Sequence, residues 1–470
     1  MAPRASPREP FLGERMSNQS FEVISVPPQP RRVILVSIDW TRDKDPRLPL
    51  GHASIVAALR HANVDVRAFS FAVNRSDFSE EHILWSVLES ARGLEARDVD
   101  LGLGVYVWND RVVKRLLGAV RRSGFAGRII LGGPQVSYAG PGLEQLYPEA
   151  DGFVRGYGEE AMVAIAATSE RVRFPGVHWA GQLDAGVQAQ AKLETLASPF
   201  LEDVIELSGE QRFIRWETQR GCPFRCSFCQ HREAGSRLRR RDLPMARLEE
   251  EIELFVYSGV NDIAVLDPLF NLGDHALAVL RTFQRLDYRG RLSLQCHFST
   301  LDDEFLDACE GLAVRLEFGL QTIHEKEARA VERVNHLEKV VEGVRKLHAR
   351  GIPFEVSIIF GLPEQTLESF RQTVDFCLRR QVPVLKAFPL MLLRGTQLER
   401  ERARWGLEEN DAPIPSVIRS HTFNEQEWSR MEALAEALRQ TEGRHPDCVE
   451  ALEVRVVSLP DTSGWWSPAA

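Results

Sequence analysis

The stretch Phe213-Ile214-Arg215-Trp216-Glu217-Thr218-Gln219-Arg220-Gly221 runs straight into Cys222-Pro223-Phe224-Arg225-Cys226-Ser227-Phe228-Cys229. A short strand ends there in a loop whose thiols are spaced Cys-x3-Cys-x2-Cys. Three thiolates on one tight loop can hold three irons of a [4Fe–4S] cube, which usually takes four Cys ligands. No fourth Cys is near in sequence, so one iron is left for a ligand from outside. Gly221 and Pro223 let the loop turn tightly enough for the sulfurs to converge. Zinc is the rival, with His231 as fourth ligand, but zinc loops more often pair Cys-x2-Cys with a second such pair. The cluster reading is preferred because the loop follows the first strand of a βα series, whose C-terminal face carries the chemistry of barrel enzymes.

Reading outward, strands and amphipathic helices alternate at short intervals on both sides of this loop. Downstream, about six βα units fit between residues 209 and 400, fewer than the eight of a closed barrel. Upstream, apolar runs such as Arg32-Val33-Ile34-Leu35-Val36-Ser37-Ile38 suit strands of a parallel sheet covered on both faces. The expected fold class is α/β: a doubly wound (Rossmann-like) domain over 31–170, a linker over 171–208, a partial (β/α)6 barrel over 209–400, and a small helical region with a tail over 401–470. Residues 1–30, rich in Pro, Arg and Ser, read as a disordered leader, within which Met16 is an alternative start.

The chain has 470 residues, 44% hydrophobic and 27% charged, with a net charge of −9 and a mean hydropathy of −0.23. That balance suits globular domains and disfavours a dedicated duplex-nucleic-acid binder. No apolar run approaches a membrane span and no signal peptide is visible, so the expected compartment is the cytoplasm. Seven cysteines are too few for a disulfide scaffold. Cys296, Cys309, Cys377 and Cys448 read as buried, unreactive thiols.

The cysteine loop and the βα pattern behind it resemble the radical S-adenosylmethionine (radical SAM) superfamily over roughly residues 210–400. The resemblance implies that the open iron chelates SAM and that one electron cleaves it to methionine and a 5′-deoxyadenosyl radical. It implies SAM contacts at Phe228, before the last cysteine; Asp267, in Leu266-Asp267-Pro268-Leu269-Phe270-Asn271; Glu317 and Gln321, in Glu317-Phe318-Gly319-Leu320-Gln321-Thr322; and Gly361, in Ile359-Phe360-Gly361-Leu362-Pro363. In Gln295-Cys296-His297-Phe298-Ser299, similar proteins often carry Glu where Ser299 stands, so Gln295 or His297 is the expected substitute. The bland alternatives are a helix cap for Asp267, an Arg partner for Glu317 and a turn for Gly361.

The first domain resembles the cobalamin-binding domain that precedes many such barrels. The resemblance lies in Gly102-Leu103-Gly104-Val105-Tyr106-Val107-Trp108-Asn109, in Leu131-Gly132-Gly133-Pro134-Gln135-Val136-Ser137 and in Gly156-Tyr157-Gly158-Glu159-Glu160. It implies a corrin over the strand ends, touched by Trp108, Asn109, Gly132, Gly133, Pro134, Gln135, Gly156, Gly158 and Glu159. A purely structural doubly wound domain is the alternative. The Asp-x-His-x-x-Gly motif of other cobalamin proteins is absent. Its loop reads Trp40-Thr41-Arg42-Asp43-Lys44-Asp45-Pro46, so no His from this motif is the expected lower ligand, and His52 is the nearest substitute.

Together these resemblances imply an enzyme using a [4Fe–4S] cluster, SAM and cobalamin, with C-methylation of a specialised metabolite or peptide as the leading reaction. One SAM would methylate cobalt and a second would generate the radical. Cyclisation, rearrangement or aminocarboxypropyl transfer are alternatives, as is a non-catalytic cobalamin or Fe–S sensor. The basic run 231–241 reads as a solvated loop, or as a guide for an anionic substrate or an acidic donor of flavodoxin or ferredoxin type. Lys386 and Arg394-Gly395-Thr396 are expected to face the substrate. Phe423, Trp428, Trp465 and Trp466 are expected either to close the barrel mouth or to pack in the core.

Overall fold

The computed structural model describes residues 31–207, 212–231 and 240–456. The leader, most of the basic run after the cysteines, and Trp465 and Trp466 lie outside the described residues.

Six strands form the first sheet: β1 (Arg32–Asp39), β2 (Asp65–Ala72), β3 (Val99–Gly104), β4 (Arg128–Gly132), β5 (Gly152–Val154) and β6 (Val177–Trp179), in the order β2-β1-β3-β4-β5-β6. The first five are parallel, and β6 pairs antiparallel with β5. The stretch 171–208 reads as a linker with short strands, and Val177–Trp179 is one of them, formed where β5 offers an unpaired edge. Helices α1 (Leu50–His61) and α6 (Glu159–Ala166) pack on one face. Helices α2 (Glu80–Ala91) and α3 (Asp110–Arg122) cover the other. Two short helices, α4 (Pro134–Ser137) and α5 (Leu143–Leu146), follow β4. The apolar side chains of β1 divide accordingly, Val33 and Leu35 to one face and Ile34, Val36 and Ile38 to the other. Strand order reverses between β1 and β3, where open sheets of this kind leave a crevice.

The second sheet is wholly parallel: β7 (Phe213–Trp216), then, past the short β8 (Gln219–Arg220) and β9 (Arg241–Asp242), β10 (Asp262–Val265), β11 (Arg291–Cys296), β12 (Ala313–Gln321), β13 (Phe354–Phe360) and β14 (Val384–Pro389). Its order, β7-β10-β11-β12-β13-β14, leaves it open between the first and last strands. Burial alternates along β12: Val314, Leu316, Phe318 and Leu320 enter the core, while Arg315, Glu317, Gly319 and Gln321 face the interior of the sheet's curve. Near the chain's end, helix Glu425–Gln440 packs Trp428 on Phe360, ring centroids 5.8 Å apart. Phe423 and Trp428 are therefore core residues and close no mouth.

One apolar core runs from Val33 and Leu35 through Leu193, Phe200 and Leu207 to Trp216 and the second sheet. Within it the buried Glu251 accepts hydrogen bonds from Ser198 (2.5 Å), Arg247 (2.8 Å) and the Trp216 indole (2.6 Å), tying linker, helix and β7 together. Arg394 donates to the Gln135 carbonyl and the Tyr147 hydroxyl, both at 2.9 Å. Gly395 has φ +72°, and a Cβ there would stand 2.0 Å from the Tyr138 carbonyl oxygen, so only glycine fits. The Arg394-Gly395-Thr396 turn thus joins the two sheets and lines neither cavity described below.

Asp100, fully buried in β3, accepts from Arg31 at 2.7 Å and from Arg128 at 2.7 and 2.8 Å. Asp100→Ala would strand two guanidinium groups in the core. The expected loss is about 3–5 kcal/mol, measured by urea unfolding of the purified chain.

Candidate active site

The cysteine loop is held from three sides. Asp267, buried just past β10, accepts hydrogen bonds from the Thr218 amide (2.8 Å), the Thr218 hydroxyl (2.5 Å) and the Gln219 amide (3.2 Å). Burial pushes its carboxyl up to about 7, against the pull of those donors. Ser227 donates its amide to Val331 O (2.9 Å), and its carbonyl accepts from the Leu398 amide (3.0 Å). The Phe224 ring stacks on His297, centroids 4.5 Å apart.

Cys222, Cys226 and Cys229 line one cavity of about 570 Å³. Burial raises the Cys222 thiol and pushes Cys229 up to about 11; neighbouring cysteines add to both shifts. The His231 amide lies 3.4 Å from Cys229 Sγ, and Arg333 donates to Cys226 Sγ at 3.5 Å. Among the described residues no three His, Cys, Asp or Glu side chains converge on one point as a single metal ion would require. The donor set is three soft thiols around the mouth of a cavity, which suits a cube of irons better than tetrahedral zinc.

Of the residues matched to SAM, Phe228, Gln295, Glu317 and Gln321 line this cavity with the thiols. Gln321 ends β12 at φ +70°, beside a register shift against β13, and its buried Oε1 has no hydrogen-bond partner. Arg333 and Asn335 hold that strand end through the Gly319 and Leu320 carbonyls. Burial, then the nearby Glu355 carboxylate, push Glu317 above the usual carboxylate range. Asp267 and Gly361 are outside the lining. Asp267 braces the loop from behind. Gly361, at φ +89°, turns the chain after β13 and gives its amide to Gln365 at 2.7 Å. His297 caps the turn that holds Ser299, its Nδ1 accepting from the Ser299 amide at 3.1 Å, and both Gln295 and His297 line the cavity. Burial, then Arg333, lower His297 to about 4, so its ring is neutral at pH 7. The sequence reading missed Phe224 and Arg333 as part of this site. Arg333 lies in no strand-end motif, and only the fold brings it to the cysteines.

A second cavity, about 410 Å³, opens at the β1/β3 switch point. Glycines 102, 104, 132, 133, 156 and 158 line it, with Pro134 and Glu159. A Cβ at Gly158 would meet Ile55 Cδ1 at 2.9 Å, so the hollow depends on missing side chains. His52 also lines it; its ring is pushed down to about 4 by burial, and Nε2 has no partner. This wall of bare backbone with one unpartnered imidazole fits a large flat ligand such as a corrin with its tail. Trp108, Asn109 and Gln135 do not line the cavity. Asn109 donates to the Ile38 (2.8 Å) and Gly104 (3.1 Å) carbonyls, and Trp108 to Ile38 O (3.1 Å). Strand-end carbonyls need partners, and these side chains supply them. Tyr106, stacked on Trp108 at 4.6 Å, presents its ring to the cavity instead. The Trp40–Pro46 loop reaches the other sheet, where Arg42 and Lys44 line the first cavity. His231, Leu266 and Pro268 line both cavities, so the two adjoin at the end of the cysteine loop.

Comparison with known proteins agrees with this geometry. Residues 216–377 match the Radical SAM superfamily. The cobalamin-dependent radical SAM methyltransferase TokK of Streptomyces tokunonensis is 27% identical over 63% of this chain and 47% of its own length. The chain spans about half the length of the first curated relatives it matches. The structure of the radical SAM methyltransferase TsrM from Kitasatospora setae, with tryptophan and a SAM analogue bound, superposes with a TM-score of 0.67 at 20% identity, covering 87% of this chain and 89% of that one. The cobalamin-dependent radical enzyme OxsB, with aqua-cobalamin and SAM bound, gives 0.67 at 14% identity over 88% and 67%. At such identities the two structures speak for the fold. The chain carries a radical SAM domain over residues 216–377, joined to a Rossmann-like N-terminal domain in the architecture of these cobalamin-dependent radical SAM proteins.

Proposed function

We propose that this chain is a cobalamin-dependent radical SAM enzyme that transfers a methyl group to an unactivated carbon of a small molecule or peptide. The observation that carries the reading is the wall of His231, Leu266 and Pro268 shared by the thiol-lined cavity and the glycine-lined one. The two cavities adjoin along it, so groups held in them would lie next to each other. The methyltransferase names of the curated relatives favour methyl transfer over other radical outcomes.

When bound, the [4Fe–4S] cluster supplies the electron that cleaves SAM, and cobalamin carries the methyl group. The chain's own residues do the rest. Cys222, Cys226 and Cys229 give up their protons to ligate iron, and the Arg333 guanidinium beside Cys226 offsets the charge that forms. Phe228 offers a flat face for an adenine. Gln321 Oε1 and Gln295 offer polar atoms, and the Glu317 carboxylate an acceptor for ribose hydroxyls or an ammonium group. The glycine-lined wall lets a corrin approach the backbone. The sequence supplies no Asp-x-His-x-x-Gly histidine for cobalt; the neutral, unpartnered His52 ring in this cavity would be available to a bound corrin. Basic residues of the 231–241 segment would receive an acidic electron donor of flavodoxin or ferredoxin type, as expected in the cytoplasm. No helix among the described residues is long and apolar enough to cross a membrane.

Mass spectrometry of SAM-derived products tests the reading. Anaerobically reconstituted protein, given reductant, SAM and hydroxocobalamin, should form S-adenosylhomocysteine with 5′-deoxyadenosine. Absence of both, or methylthioadenosine in their place, would remove it. Replacing any one of Cys222, Cys226 and Cys229 with Ala should lower iron from about four per chain toward none and abolish 5′-deoxyadenosine. Gly132 is a separate probe: a Cβ there finds its nearest neighbour at 3.7 Å, so the fold tolerates a side chain that the cavity does not. Gly132→Val should cut retained cobalamin about tenfold, read by absorbance after gel filtration, with iron content unchanged.

A further inference from the structure

The glycine-lined cavity is built from two sides. The first domain gives the strand ends at Gly104 and Gly132 and the start of α1. The segment around the cysteines gives Gln219, Arg220 and His231. A flat ring held between them turns one face to the cysteine loop and the other to the first domain. The loop side adjoins the thiol-lined cavity, where His231 lines both. The face turned away from the loop meets side chains of the first domain.

Among the described residues, three side chains of this wall bury a nitrogen or oxygen that has no hydrogen-bond partner: His52, Gln219 and Arg220. Gln219 and Arg220 stand on the loop side, and their other atoms are paired, with the Leu269 carbonyl and with Glu159 and Glu217. His52 is the unpaired group on the first domain's side. The other polar side chains there are committed within the fold. Ser37 donates to Asp39, Ser137 accepts from the Gly156 amide at 2.9 Å, and Tyr138 donates to the Gln230 carbonyl. Tyr106 carries a phenol that burial pushes up to about 12, so it stays neutral and is a weak metal ligand.

His52 is also held firmly. It is the third residue of α1, and Ala53, Val56, Ala57 and Leu59 of that helix are fully buried in the core. Ile55, three residues on along the same face, lines the cavity beside it. Buried polar nitrogens are normally paired, because leaving one bare costs stability. Burial keeps this ring neutral at pH 7, so it offers a lone pair without first releasing a proton.

We propose that His52 is the axial ligand to cobalt on the corrin face turned away from the cysteine loop. The helix then supplies the imidazole that the Trp40–Pro46 loop lacks. The bond is dative: a lone pair is shared, and no proton or electron changes hands. The opposite axial position stays open toward the thiols, where methyl transfer needs it. The inference rests on the cobalamin reading above, but it is tested without turnover.

Electron paramagnetic resonance of cob(II)alamin bound anaerobically to the purified full chain, without SAM, reads this ligand directly. The unpaired electron of low-spin Co(II) lies along the axis, so an axial nitrogen splits each cobalt line. In protein grown with 15N-histidine the splitting should be a doublet. A triplet there would mean the cofactor's own benzimidazole, and no splitting an oxygen or an open position; either result overturns the proposal. His52→Gln, which keeps most of the volume, and His52→Ala should both lose the doublet. Imidazole added to His52→Ala should restore a nitrogen splitting, which a merely structural role would not give. Unfolding temperatures identify a variant that fails to fold. A doublet that survives in His52→Gln and vanishes in His231→Gln places the nitrogen on the loop side and overturns the proposal. If the wild-type chain retains no cobalamin through gel filtration, the cobalamin reading itself fails, and the axial ligand with it.

Discussion

The geometry turns on the guanidinium of Arg220, two residues before the first cysteine of the loop. Buried, it donates at 2.7 Å both to Glu159 at the start of α6 and to Glu217 on its own strand connection. It also lies over the Tyr157 ring at 4.8 Å. A charge so desolvated is tolerated only with its partners in place, and here one partner comes from each half of the chain. The ion cluster therefore sets where the cysteine loop begins relative to the first sheet. The shared wall between the cavities follows from it, since Glu159, Arg220 and Gly221 all line the second one.

Around that point the two halves serve each other. The apolar face of α1 and α6 packs into the same core as the second sheet, so neither half closes that core alone. Asp267 pays for its burial with three hydrogen bonds and in return holds the backbone that leads into the cysteines. The Arg394–Thr396 turn fastens the far side. Residues that look like ligand contacts by motif are, in several cases, the braces that make the cavities possible.

Charge is distributed with similar economy. The chain as a whole is acidic, at −9, yet inside the second sheet cations and carboxylates pair off. Alternation in a strand sends every second side chain inward, so the charged positions of β11, β12, β13 and β14 gather into one space. Net charge says little about such a space, because it averages over a surface the interior never meets.

The cysteine spacing, the strand–helix alternation and the glycine-ended strands were readable directly, because each is a local pattern with a local cause. Thiols three and four residues apart must share a loop. Apolar runs of strand length between amphipathic helices must be buried on both faces. These features determined the two-sheet architecture and the stretch of chain that carries the chemistry. Tertiary structure alone decided which polar residues face the cavities. Phe228, Gln295, Glu317 and Gln321 do. Asp267, Trp108 and Asn109 turn to backbone groups instead, because buried strand ends leave amides and carbonyls that must be satisfied, while Gly361 and Gln135 line neither cavity. Arg333 and the Arg42–Asp45 loop enter the first site from distant positions in the chain. Nothing in their own segments marks them, since their role arises from which strand neighbours which, a property of the whole fold.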